Sequence, residues 1–151
     1  MTWNDFTNTE KIAIFKSAIA VARCDYNSSL LGSLFRRSEP KHEINYSQNL
    51  YLNMLFMRMN RGGDPKSFTN AALSMQDKVM ANTIKQMSRE KRDFVFLIWC
   101  SILCRESNST LMGSVSMSDF PSEYSSVVKA MANDMNITIQ SSFEMDEFGY
   151  Y

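Results

Sequence analysis

The chain has 151 residues, enough to bury a sizeable core in one domain, and its 5 glycines and 3 prolines are too few for the frequent tight turns of a sandwich or barrel. Lys and Arg total 16, as do Asp and Glu, so the net charge is zero and gives no basic excess for displacing counterions from a nucleic acid. Three cysteines, Cys24, Cys100 and Cys104, all lie in helical stretches, an arrangement unlike a secreted disulfide scaffold.

The pattern predicts a first helix from about Thr9 to Cys24, capped by Thr9, with Ile12, Phe15, Ile19 and Ala22 at helical spacing and further apolar residues on its other sides. Asp25 to Arg37 reads as a loop with a short helical turn around Leu30 and Leu31. A helix is expected over Lys41 to Met59, with Tyr46, Leu50, Met54 and Met57 as its apolar face. Asn60-Arg61-Gly62-Gly63-Asp64-Pro65 breaks the chain; Asp64 suits a cap and Pro65 a first helical position. A long helix carrying Phe68, Ala72, Met75 and Val79 follows to about Met87, with an interruption expected near Asn82. Ser88 caps the next helix, which runs to Glu106 and is apolar on every side over Phe94 to Cys100.

Phe120 or Pro121 opens a helix ending near Met135, striped by Tyr124, Val127, Val128, Met131 and Met135, with Asn136 as a left-handed C-cap. Thr138 to Tyr151 has no periodicity and reads as a tail, or a strap facing a protein partner through Phe143, Phe148 and Tyr150. The N-terminus carries no basic start and no apolar run, so no signal peptide is expected. Phe94 to Cys104 is about half the roughly 20 residues that span a bilayer. Cytoplasmic residence without membrane insertion is the expectation, and the oligomeric state is left open. The 12 methionines suit an adaptable core, a docking groove or a sensor of oxidation.

The chain also repeats itself. Asn27-Ser28-Ser29-Leu30-Leu31-Gly32-Ser33-Leu34 matches Asn108-Ser109-Thr110-Leu111-Met112-Gly113-Ser114-Val115 at an offset of 81, and Ser38 to Ile44 aligns with Ser118 to Tyr124 at 80. Each copy follows an apolar helix that begins with Glu-Lys. The fold class expected is therefore all-α: a bundle of about six or seven helices in one duplicated domain. Its pseudo-symmetric halves cover about residues 9–59 and 88–137, the helix over 65–87 joins them, and 138–151 is the tail.

The repeat makes Asp25 and Glu106 equivalent acids at helix exits, with Glu39, Glu43, Asp119 and Glu123 at the next entrances. Such carboxylates could hold a hard cation, Ca²⁺ or Mg²⁺, through Asp25 and Glu106 with Glu43 and Glu123 as further ligands. Capping and the helix dipole account for the entrance acids without any ligand. Cys100 and Cys104 share a helix face, but no Cys-x-x-Cys knuckle exists and the single His42 leaves a zinc set or a hydrolytic triad without partners. Arg36, Arg37, Lys41 and His42 read as a solvated basic face.

Phe15 to Asp25, Arg92 to Glu106 and Val128 to Ile137 resemble the tellurite-resistance TerB-like family, over roughly residues 9 to 137. Its two halves each contain a buried helix ending in Ala-Asp-Gly, followed by a Ser-x-x-Glu helix start. Tyr26 and Ser107 stand where that motif has glycine, and the gap from acid to serine is longer. The resemblance implies an all-helical fold and a place in stress-response complexes, with metal binding at the motif acids. The functional expectation is a non-enzymatic interaction module with a protein partner; a divalent-cation-binding domain is the alternative, and a hydrolase a distant third.

Overall fold

The computed structural model describes residues 1–26, 42–106 and 113–145, with the backbone alone for 113–115 and 143–145. The predicted loop turn at Leu30-Leu31 and most of the eight-residue repeat lie outside these residues. Among the described residues, six α-helices form an all-α bundle: α1 (Asn8–Arg23), α2 (Tyr46–Met59), α3 (Pro65–Ser74), α4 (Asp77–Lys85), α5 (Arg89–Leu103) and α6 (Ser122–Met135). No described helix is long and apolar enough to cross a membrane.

α1 is the central element and packs against each of the other five helices. Its sequence explains why: Ile12, Ala13, Ile14, Ala18, Val21 and Ala22 are buried on several sides, and the alanines let neighbouring backbones come close. The helix starts one cap earlier than its apolar period suggests. Thr7 rather than Thr9 is the N-cap, because Glu10 N donates to Thr7 Oγ1 (3.1 Å) while Thr7 N donates to Glu10 Oε1 (2.8 Å). That reciprocal box satisfies two otherwise orphaned donors.

The two apolar helices α1 and α5 pack together. Trp99 is fully buried on α5 and its indole N–H donates to Ser17 Oγ at 2.9 Å; Ser17 in turn donates to Ile14 O at 2.7 Å. Near their N-termini, Lys91 pairs with Glu10 at 3.0 Å and lies 5.0 Å above the Phe6 ring. Beyond these helices the expected register lapses: α2 and α6 begin at Tyr46 and Ser122, closer together than an offset of 80.

Three further expectations are corrected. Residues 42–45 are not helical, and α2 begins only at Tyr46, where Asn45 and Gln48 form a second reciprocal cap. The stretch over 65–87 is two helices broken at Met75-Gln76, not near Asn82; Met75 adopts an extended ψ of 125° and ends α3. Part of the presumed tail is also ordered: Phe143–Met145 pairs antiparallel with Gly113–Val115 as a short ribbon, β2 on β1. Asp64 and Pro65 do open α3, and Ser88 caps α5. An aromatic triad of Phe15, Phe56 and Phe68, with centroids 5.4–6.0 Å apart, ties α1, α2 and α3 together.

All five residues of the expected α6 stripe are buried. Asn136 closes α6 at φ 55°, and Ile137 N reaches back to Ala132 O at 2.9 Å. This left-handed ending is tolerated by Asn and natural to Gly. Asn136→Gly is expected to hold stability or raise it by up to about 1 kcal/mol, and Asn136→Ala to lower it by about 1 kcal/mol. Thermal melts of the two variants check the sign.

Candidate functional site

Two places concentrate what the sequence could use. One is the end of the bundle where α1 and α5 stop. The carbonyls of a helix C-terminus need donors, and residues 42–45 supply them. His42 N donates to Arg23 O (3.1 Å), and Asn45 Nδ2 lies 2.8 Å from Arg105 O and 2.6 Å from Glu106 O. Gln48, fully buried, donates to Ile102 O at 3.3 Å. The segment thus straps the two helix ends together, and the His42 ring stacks on Tyr124 of α6 with centroids 5.3 Å apart. Among the described residues, the His42 Nε2 atom is buried there without a hydrogen-bond partner.

α1 ends in a left-handed turn at Cys24 (φ 51°), and Asp25 N bonds to Ala20 O at 3.0 Å. Burial, with the negative charges of Glu123 and Glu106, pushes the Cys24 thiol up to about 12. Burial and the same carboxylates also raise the Tyr124 phenol, against a hydrogen bond from Gln48. Both carboxylates thus act electrostatically on Cys24, the residue that precedes Asp25. Glu43 lies exposed on the strap. Among the described residues, no three His, Cys, Asp or Glu side chains gather closely enough to hold a metal ion; Glu39 lies outside them. Melts with Ca²⁺ or Mg²⁺ at millimolar concentration, or with EDTA, are expected to leave the Tm unchanged, whereas a ligand-dependent rise would show a cation bound to the folded state.

Burial at this end works against thiolate and phenolate formation. A nucleophilic cysteine needs its thiolate stabilised. Here desolvation raises all three thiols, Cys104 to about 11 and Cys100 further, with the neighbouring Cys104 adding to the latter. Cys100 is buried within α5, Cys104 is buried as its C-cap, and both are free thiols. Burial likewise raises the Tyr26 phenol, which is fixed by a 2.6 Å bond to Asp134.

The second place was not expected. α2 turns Gln48, Tyr51, Leu52, Leu55 and Met59 inward; of the expected apolar face, Met54 packs partly against the core while Tyr46, Leu50 and Met57 point outward. Tyr46 is 77% exposed, Leu50 52% and Met57 71%. They lie on one face with the exposed Asn49 and Asn53, and no residue from Tyr46 to Met57 is charged. The sequence carried this signal as a twelve-residue run without Asp, Glu, Lys or Arg. The buried Gln48 on the inner face is acceptable because its amide finds a partner in the Ile102 carbonyl. Of the aromatic residues predicted to meet a partner, Phe143 lies in β2, while Phe148 and Tyr150 fall outside the described residues. No protein-family model, curated protein or solved structure matches the chain.

Proposed function

We propose that the protein is a non-enzymatic interaction module whose binding surface is the outer face of α2. The observation that carries this reading is the uncharged face of Tyr46, Asn49, Leu50, Asn53 and Met57, with three large apolar side chains in water. Single exposed apolar residues are ordinary, but a contiguous patch is the usual mark of a surface that another protein covers. A helix face of this kind is read through anchors spaced by whole turns, and residues 46, 50 and 57 fit that spacing. The raised thiols and the fixed phenol at the other candidate place favour a structural role for that end of the bundle. A stress-response setting, drawn from the TerB-like resemblance, is part of the proposal.

A photo-crosslinking residue at position 53, introduced in the cell, tests the reading. A discrete protein adduct is expected, and it should disappear in the Leu50→Glu, Met57→Glu variant while the melting temperature stays within the small range of surface substitutions. Absence of any adduct, or an adduct indifferent to both substitutions, would contradict the proposal.

A further inference from the structure

We infer that the occupant of the α2 face is a second copy of the same chain, docked antiparallel about a two-fold axis. The inference rests on the interaction reading and adds the partner. α2 is about 21 Å long by its helical rise. If the axis passes midway between Tyr46 and Met57, Tyr46 of each copy meets Met57 of the other and Leu50 lies across from Asn53. A rigid aromatic against a flexible thioether is a favourable contact, and the pairing is self-complementary, as a two-fold interface must be.

The charges at the ends of α2 match this geometry. The exposed Glu43 precedes α2 and the exposed Arg61 follows it. In the antiparallel arrangement position 43 of one copy falls opposite Asn60, beside Arg61, of the other, and this happens twice. At the basic end Asp64 is committed to the start of α3, accepting from Lys66 N and Ser67 Oγ, and a hydrogen bond from Ser67 lowers its pKa. The helix dipoles also oppose each other favourably. The uncharged middle and oppositely charged ends thus suit one orientation of one partner: the same surface turned around. One helix face is a small interface by the standard of stable complexes, so the dimer is expected to be weak and concentration-dependent.

Sedimentation velocity of the full chain over a roughly hundredfold concentration range tests the inference. The wild type should pass from monomer towards dimer, and Leu50→Glu with Met57→Glu should stay monomeric with an unchanged melt. Glu43→Arg and Arg61→Glu should each weaken the dimer by about fivefold or more, and combining them should restore it, because the pair is re-formed across the axis. Both substitutions oppose the α2 dipole, so an effect confined to one chain would instead accumulate in the double variant. A wild type that stays monomeric throughout overturns the inference, as does a dimer indifferent to the α2 substitutions or a double variant no better than either single one. If the wild type is monomeric while the crosslinked adduct still depends on Leu50 and Met57, the face serves a different protein and the second copy alone is rejected.

Discussion

Replacing Trp99 by alanine is expected to lower stability by about 3–5 kcal/mol, the range for emptying a fully buried large aromatic site. In a chain of this length that corresponds to a drop in Tm on the order of 10 °C. The expectation follows from where the residue sits: Trp99 has no exposed surface and fills the contact between α5 and the central helix α1. Its N–H has one partner, Ser17 Oγ. Ser17→Ala leaves that donor buried and unpaired, at about 1–3 kcal/mol. Trp99→Phe removes the donor instead, and Ser17 keeps its bond to Ile14 O. The combined variant should therefore cost less than the sum of the two, and a double-mutant cycle by chemical denaturation measures the difference.

Asn45→Ala is the second large effect, with an expected loss of about 2–3 kcal/mol. Part of this is the N-cap of α2, where Asn45 Oδ1 accepts from Gln48 N at 2.8 Å; such caps contribute about 1 kcal/mol. The remainder comes from Nδ2, the shared donor to Arg105 O and Glu106 O. Asn45→Asp separates the two roles. It keeps a capping oxygen but faces two carbonyls with a carboxylate, so it is expected to be no better than alanine despite being an excellent cap. If Asn45→Asp instead melted like the wild type, the strap would contribute nothing to holding α5.

The parts of the fold that were legible in the sequence are those governed by local chemistry. Ser88, Asp64-Pro65 and Asn136 mark helix ends through their own side chains or backbone preferences, and the α6 stripe has a polar opposite face that fixes its orientation. The losses have equally specific causes. α2 is apolar on two faces, so helical spacing alone fits Tyr46-Leu50-Met57 as well as Leu52-Leu55-Met59, and tertiary packing chooses between them. The break at Met75-Gln76 contains neither Gly nor Pro and is imposed by α3 and α4 each packing on α1. β2 gains its partner from residues distant in sequence, which a window along the chain does not see. At the candidate site, Glu106 and Glu123 both act electrostatically on Cys24 and Tyr124, a convergence that depends on the packing of α1 and α6 and that spacing along the chain does not show.

The central claim is that the outer face of α2 is a binding surface, and oxidative footprinting of Met57 in living cells tests it most directly. In the dilute purified protein Met57, at 71% exposure, should oxidise at least as readily as Met1 at 48%. In the cell its oxidation relative to Met1 should fall several-fold, and Leu50→Glu should abolish that protection. Equal oxidation of Met57 in the cell and in dilute solution would contradict the account.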